Sequence, residues 1–157
     1  MKKQLTLDAV LVLVVIIADQ VLKAYIQGTN LGIHGNNLVE RPLIPGVVNI
    51  TKLFNNGAAW SFFAGQQWFF WIVTIIAILA IMYTYIKMRG QRLLQSSLAL
   101  IFAGTLGNFF DRARQGYVVD MFDLKFINFP IFNIADMALT FGVIFLFVAI
   151  LRDKDLN

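Results

Sequence analysis

The chain has 157 residues, of which 59% are hydrophobic and only 14% are charged, and its mean hydropathy is +0.71. A soluble domain of this length would be nearer half apolar and a quarter charged, so the composition indicates a membrane protein. The net charge of +4 is better explained by membrane topology and contact with lipid headgroups than by binding to nucleic acid.

Four apolar stretches are long enough to cross a bilayer, which needs about 20 residues per helix. The first could be mistaken for a signal peptide because Lys2 and Lys3 precede it, but no small-residue cleavage site follows, so we expect it to be retained. The sequence predicts a single-domain, all-α membrane fold, a bundle of four transmembrane helices at about residues 7–26, 68–86, 93–110 and 132–151.

The basic residues are divided almost equally between the two sides of this bundle, seven against six. Their total therefore does not decide the orientation. The connection between the second and third helices is very short and holds Lys87, Arg89 and Arg92, and short loops govern orientation. We therefore expect both termini to face the cytoplasm and the two long connections to lie outside.

The first long connection, about residues 28–67, begins with a turn-rich stretch and ends in a β-branched run. That run, residues 47–54, lies between Pro/Gly and Asn-Asn-Gly, which is typical of a strand. Forty residues are too many for a structureless connection in a compact protein. We expect a small extracytoplasmic β-sheet resting on the membrane, with a contribution from residues 112–131.

Aromatic residues crowd both ends of this outer region. An interfacial anchoring belt explains most of them. For residues 60–63, which follow Asn-Asn-Gly, a lid that dips into the lipid beside a site is an equal alternative. The aromatic residues are Trp60, Phe62, Phe63, Trp68, Phe69, Phe70, Trp71, Phe122, Phe126, Phe129 and Phe132.

Two lone acids lie at or near the edges of the apolar segments. Asp136 is the only charge in residues 132–151, and Asp120 follows the third apolar run in Gly-Tyr-Val-Val-Asp-Met-Phe-Asp. A charge at membrane depth is costly, so such positions are functional candidates by default. We expect the two acids to come from separate helices and to meet at the outer interface.

Further polar residues fall at the same ends of the segments. Unpaired polar groups there would be costly, so we expect one shared pocket. Asp19 and Lys23 also share a helix face at i, i+4. The pocket would contain Asp19, Lys23, Asn55, Asn108, Asp111, Arg112, Asp123 and Asn133 in addition to the two acids.

The chemistry open to this pocket is limited. There is no cysteine and the single histidine, His34, lies in a loop, so we expect no metal or other cofactor. Two carboxylates that share one proton could activate a water against a peptide carbonyl and then protonate the leaving amine. The amides of Asn55, Asn108 and Asn133 could orient the acids or hold the substrate backbone.

Three alternatives remain open from spacing alone. The acids could neutralise Lys23, Arg112 or Arg114 as structural ion pairs. They could relay protons or bind a cation in a small transporter, or only lock the helices of a scaffold together. In the third helix, Ala99, Ala103 and Gly107 recur every fourth residue beside Gly104, and close packing explains this stripe.

Five motifs spread over the whole chain carry a resemblance to a known family. In order, they are Asp19-Gln-x-x-Lys23, Asn55-Asn-Gly-Ala-Ala-Trp60, Gly104-Thr-Leu-Gly-Asn108-Phe-Phe-Asp-Arg112, Val118-Val-Asp120-Met-Phe-Asp123 and Phe132-Asn-Ile-Ala-Asp136. Together they closely resemble the bacterial lipoprotein signal peptidases, signal peptidase II.

The resemblance implies an aspartyl endopeptidase that removes the signal peptide of diacylglyceryl-modified prolipoproteins, cutting before the lipidated cysteine. It implies an enzyme of the bacterial cytoplasmic membrane, in contact with its lipids, with the active site at the outer leaflet, and we expect this enzyme to be a monomer. Asp120 and Asp136 would be the catalytic pair. Asp19 and Lys23 would have supporting roles, and the substrate-binding or orienting residues would be Asn55, Gly57, Gly104, Asn108, Arg112 and Asn133.

Overall fold

The computed structural model describes residues 2–35, 37–57 and 65–152. Within those ranges the chain forms four long helices, each long and apolar enough to cross a membrane. They are α1 (Lys2–Gln27), α2 (Gln67–Lys87), α3 (Arg92–Gln115) and α4 (Ile134–Arg152). The predicted four-helix membrane fold is confirmed. The aromatic segment 60–63, for which a lid was considered, lies outside the described residues.

The helix ends differ from the apolar spans because a helix can continue into the polar interface. Helix α1 begins at Lys2, and α3 continues past residue 110 to Gln115. Gly116 ends α3 in the left-handed conformation at φ 79°, and its N–H donates to the carbonyl of Arg112. Helix α4 begins at Ile134, two residues later than the apolar run.

Two small antiparallel sheets lie between α1 and α2 and between α3 and α4 in the chain. Strands β1 (Gly32–His34) and β2 (Asn37–Val39) form one hairpin. Strands β3 (Arg41–Ile44), β4 (Val48–Asn55) and β5 (Val118–Leu124) form the other sheet, in the order β3-β4-β5. The strand predicted at residues 47–54 is confirmed as β4, whereas β5 was foreseen only as an unspecified contribution.

Helix α3 is the centre of the bundle and contacts the other three helices. Its buried face contains small residues, and so does the face of α4 that meets it, which allows close packing without a large apolar core. Helix α2 has no fully buried residue, so much of its apolar surface is left for lipid. The small residues are Ala99, Ala103, Gly104 and Gly107 on α3 and Ala135, Ala138 and Gly142 on α4.

The larger sheet is joined to the bundle at the start of α4. The carbonyl of Phe132 accepts hydrogen bonds from the N–H groups of Met121 (3.0 Å) and Phe122 (2.8 Å), and the Phe132 N–H donates to the Phe122 carbonyl at 3.1 Å. Val119 and Met121 are buried against Ile26 at the end of α1. As a result, the first turn of α4 lies beside the middle of β5.

Candidate active site

The two lone acids come from different kinds of element. Asp136 lies in the first turn of α4, as expected, but the prediction that both acids lie on helices is wrong, because Asp120 lies on β5. Asp120 is only 2% exposed, and its neighbours Val119 and Met121 are fully buried. Because this strand packs on the bundle, it holds the Asp120 carboxyl more rigidly than a long loop between helices would.

Asn133 connects the two acids directly. Its side-chain Nδ2 donates to Asp120 Oδ1 at 2.6 Å, and its backbone N–H donates to Asp136 Oδ2 at 3.1 Å. In return, Asn133 Oδ1 accepts the Asp136 N–H at 2.9 Å, which completes a reciprocal capping box at the start of α4. Asn133 therefore fixes the position of Asp136 through the helix cap and that of Asp120 through its amide.

Asn55 on β4 provides the second hydrogen bond to Asp120. Its Nδ2 donates to Asp120 Oδ2 at 3.0 Å. The orientation of this amide is set at its other end, where Asn55 Oδ1 accepts the Gly57 N–H at 3.0 Å. The predicted orienting role is therefore consistent with the geometry, and a contact of Asn55 with substrate stays a prediction.

Asn108 on α3 plays the corresponding part for Asp136. Its Nδ2 donates to Asp136 Oδ1 at 2.7 Å. Its Oδ1 accepts from Lys23 Nζ at 3.2 Å and from Asn133 Nδ2 at 3.1 Å. Because a lysine ammonium can only donate, it holds the amide oxygen toward itself and the amide NH₂ toward Asp136.

Lys23 is buried within a charged group that we call the lysine cluster: Asp19, Gln20, Lys23 and Asp111. Lys23 Nζ lies 2.8 Å from Asp19 Oδ2 and 2.8 Å from Asp111 Oδ2, with only 2% of its side chain exposed. Gln20 donates to Asp111 Oδ1 at 2.9 Å and to Asp19 Oδ2 at 3.1 Å. The i, i+4 pair predicted from the sequence is confirmed.

The lysine cluster also positions the elements that carry the acids. Asp19 Oδ1 accepts the Ala135 N–H at 2.9 Å, which caps a second free N–H of α4. Asp111 Oδ2 accepts the Val119 N–H at 3.3 Å, one residue before Asp120. Removing one partner of such a buried group would leave a charge uncompensated.

The ion-pair alternative for the two acids is not supported. Lys23 pairs with Asp19 and Asp111 instead, and among the residues that the structure describes neither Asp120 nor Asp136 forms an ion pair with a basic side chain. These acids are held by amide donors and one backbone N–H. Each of their four oxygens accepts one hydrogen bond, which leaves lone pairs for another partner.

Arg112 lies beside this group without binding the acids. Its Nη2 donates to the Gly57 carbonyl at 3.0 Å, and its guanidinium lies 4.5 Å from the centre of the Phe70 ring. Its Nε is buried and has no hydrogen-bond partner among the described residues. Arg112 thereby ties α3 to Gly57.

Gly104 and Gly107 allow α3 to approach its neighbours. A Cβ on Gly104 would run into the backbone carbonyl of Ala135, and one on Gly107 would lie 2.9 Å from Asp19 Oδ2. Both contacts are with groups that position the acids. The packing explanation for the small-residue stripe therefore holds, and at these two glycines packing and site geometry depend on each other.

Burial and the neighbouring charge raise the pKa of Asp120 to about 6. Burial is the larger cause and the charge of Asp136 the second, while the hydrogen bonds from Asn55 and Asn133 oppose them. Two acids in one buried site cannot both ionise cheaply, so one tends to keep a proton while the other acts as a base. This arrangement can support general acid–base chemistry near neutral pH.

Sequence reasoning left some of this site unassigned. Gln20 and Asp111 lie inside the quoted motifs, and their buried partners give them a role that spacing alone did not reveal. Asp8, a charge within the first apolar segment, is also buried. It accepts from Gln4, Tyr85 and Ser96 at the far end of the bundle.

The fold and the site define a class of protein: a multi-pass membrane protein with a buried pair of acids held by amides. In the described part of the chain no group of three or more metal-ligating side chains accompanies them. A family profile described as signal peptidase (SPase) II matches residues 11–152. The chain belongs to the signal peptidase II family.

Individual relatives agree with this assignment. A lipoprotein signal peptidase of Lactococcus lactis subsp. cremoris is 48% identical over 99% of both chains. One of Latilactobacillus sakei subsp. sakei is 51% identical over 90% of this chain and 91% of its own. A solved structure described as a bacterial membrane enzyme has a TM-score of 0.86 at 39% identity, covering 97% of this chain and 92% of that chain. The protein is thus an aspartic-type signal peptidase of the bacterial inner membrane, which acts on prolipoproteins.

Proposed function

We propose that this enzyme cuts diacylglyceryl-modified prolipoproteins on the N-terminal side of the lipidated cysteine, with Asp120 and Asp136 as the catalytic pair. The observation that carries the proposal is Asn133, which donates to both carboxyl groups from a single residue. No other described residue bonds both acids. The alternative of a proton relay lacks any comparable support.

The reaction would begin with one acid ionised and the other protonated. The ionised acid takes a proton from a water molecule, whose oxygen bonds to the scissile carbonyl carbon, while the protonated acid gives its proton to the carbonyl oxygen. In the second step the C–N bond breaks. The acid that now holds the water proton gives it to the leaving amine, and a hydroxyl proton of the intermediate returns to the other acid. The pair ends in its starting state.

The fixed amides suit this exchange. Asn55 and Asn108 each present an NH₂ group to one acid, and neither can turn its oxygen toward it without losing its own partner. Donors of this kind stabilise a carboxylate and keep its free lone pairs aimed in one direction. We also propose that Arg112, whose Nε has no hydrogen-bond partner among the described residues, supports the substrate or the loop after Gly57.

The proposed orientation puts the acid pair at the outer leaflet and both termini in the cytoplasm. The cations of the short α2–α3 connection, Lys87, Arg89 and Arg92, lie at the end of the bundle away from the sheets, which supports this orientation. We also propose that the active unit is a monomer. Membrane lipids and prolipoproteins would be its partners.

Asp120→Asn and Asp136→Asn should each lower cleavage of a diacylglyceryl-modified precursor by at least about 10³-fold, because either change removes one of the two proton carriers. Purified variants would be assayed in detergent, with mass spectrometry of the cut site. Asp123→Asn is the matched control: it alters an acid on the same strand and the opposite face, which pairs with Lys125 rather than with the site.

The control should keep activity within a few-fold of the parent enzyme. Folding of each variant would be checked by its thermal unfolding profile in the same detergent. Substantial activity in either Asp120→Asn or Asp136→Asn would contradict the assignment of the pair. Cleavage at a bond other than that before the lipidated cysteine would contradict the proposed specificity without affecting the pair.

A further inference from the structure

Two adjoining cavities lie at the end of the bundle away from the acid pair. The first is an apolar groove of about 480 Å³ between α1 and α2, whose walls include Val12, Leu13 and Met82. The second, also about 480 Å³, lies beside it toward the start of α1 and the α2–α3 connection. Leu5, Tyr85 and Ile86 line both cavities, so the two share a wall.

The second cavity is basic. Lys2, Arg89 and Arg92 line it, and none of them forms an ion pair with an acid in the described residues. All three side chains are exposed. Gly90, at φ 97°, makes the turn that brings the two arginines to the same opening. Three cations that have no ion-pair partner among the described residues surround one opening, and they provide a site for an anion at the membrane surface.

Asp8, the acid that lines the apolar groove, forms no ion pair with these cations in the part of the chain that the structure describes. Asp8 is 3% exposed, and both of its oxygens are occupied: Oδ1 accepts from Ser96 (2.7 Å) and Gln4 (3.0 Å), and Oδ2 from Tyr85 (2.7 Å) and Gln4 (3.1 Å). These donors come from α1, α2 and α3. Asp8 therefore fastens the three helices that form the walls of both cavities, and it contributes to the lining of the first with only a small exposed fraction.

The neighbouring cavities suit a molecule with an anionic head and an apolar tail. We propose that they bind an anionic glycerophospholipid of the leaflet at this end of the bundle, with its phosphate among Lys2, Arg89 and Arg92 and an acyl chain in the groove. The N-terminal region of a signal peptide is positively charged and would be repelled by the same cations. Along α1 the groove ends at Leu13, about 9 Å before Asp19, so this lipid would stop short of the acid pair.

The test is lipid binding by the full-length protein in detergent, followed by native mass spectrometry and by the shift in Tm on titration. Dioleoylphosphatidylglycerol and dioleoylphosphatidylcholine have the same acyl chains and differ in head-group charge. We expect the parent protein to bind the phosphatidylglycerol at least about tenfold more tightly. Arg89→Gln combined with Arg92→Gln should abolish that preference.

Two further variants separate this site from general attraction to a basic protein. Arg41→Gln combined with Arg114→Gln removes two exposed arginines at the other end and should keep the preference. Ala9→Phe adds a bulky side chain at an exposed position in the groove and should weaken binding of phosphatidylglycerol several-fold.

Equal binding of the two lipids by the parent protein would overturn the proposal. An equal loss of the preference for phosphatidylglycerol in the two double arginine variants would overturn it as well. Unchanged binding in Ala9→Phe would show that the groove holds no acyl chain and would overturn that part. Because the readout is binding and not cleavage, the result is independent of the proposed catalytic pair.

Discussion

Asp120 is an acid whose protonated form is favoured by the fold. Its pKa is raised to about 6 from an ordinary value of 3.8, chiefly by burial and next by the charge of Asp136. The protonated carboxyl of Asp120 therefore stabilises the fold fully below about pH 3.8, and this stabilisation is lost as the pH rises through 6. The difference between the two pKa values corresponds to about 3 kcal/mol of cost at neutral pH, at about 1.4 kcal/mol per pH unit.

Asp120→Asn should therefore become more stable relative to the parent enzyme as the pH is raised from 4 to 7.5, by up to about 3 kcal/mol. The side-chain amide that replaces the carboxyl also faces two fixed donors, from Asn55 and Asn133. The loss of stability that this causes does not depend on pH. Only the change with pH in the stability difference between Asp120→Asn and the parent enzyme therefore tests the raised pKa. It would be measured as the difference in Tm across this range, with Asp123→Asn treated in the same way.

A difference in Tm that stays constant between pH 4 and 7.5 would contradict the raised pKa of Asp120. Cleavage should not be interpreted residue by residue in the same experiment. Two acids that interact this closely titrate as a pair, and the apparent pKa values of a pH–rate profile belong to both.

The two acids could be predicted from the sequence, because a lone charge beside apolar residues is costly at membrane depth unless it has a function or a partner. The same reasoning found Asp19 and Lys23 from their spacing. The connections made by Asn133 could not be found in this way. Its side chain serves a helix cap, a neighbouring amide and an acid on a strand, and these partners meet only because the Phe122–Phe132 bridge joins α4 to β5.

At the scale of elements, hydropathy found the four helices but not the strand that carries Asp120. The run in β4 is β-branched and bounded by turn residues, which made it recognisable. In β5, residues Val118–Leu124 mix two acids with apolar residues and are buried on both faces at the start, so they lack the alternation typical of a strand. Its structure follows from pairing with β4 and from packing on the end of α1.

The absence of a side chain at Gly104 allows α3 to approach the first turns of α4 closely. A Cβ there would meet the Ala135 carbonyl and lie 2.8 Å from Leu139 Cγ and 3.0 Å from the Leu139 backbone nitrogen. Backbone atoms cannot move aside as a flexible side chain can. Gly104→Ala should therefore destabilise the protein by about 1–3 kcal/mol and, by displacing the first turn of α4, lower cleavage at least about tenfold.

Thermal unfolding and kcat/KM in the same detergent would measure both effects. Gly28→Ala is the matched control, since a Cβ there would come no closer than 3.5 Å to another atom, the Tyr25 carbonyl oxygen. It should be close to neutral in both measurements. Parent-like stability and activity in Gly104→Ala would show that the two helices can separate without disturbing the acids.

At the scale of the whole molecule, few apolar side chains are buried among the described residues, and long apolar surfaces are left to lipid. Helices α1 and α2 expose leucine, isoleucine and valine along most of their length. The polar groups, in contrast, are gathered at one end in the site and at the other around Asp8. The bilayer therefore sets the depth of the acid pair, and a substrate anchored in the same bilayer would arrive with its scissile bond already at that depth.

This shared depth predicts that the acyl chains of the substrate contribute to the rate. A precursor peptide without diacylglycerol should show kcat/KM at least about a hundredfold lower than the same lipidated peptide, because no acyl chains then fix the depth of its scissile bond beside the acids. Both peptides would keep the signal helix, so that both enter the same mixed micelles, and the detergent concentration would be varied to correct for surface dilution. Equal kcat/KM would mean that the signal helix alone positions the bond, while the catalytic pair would be unaffected. An intermediate value for a peptide with one acyl chain would show that each chain adds to the positioning.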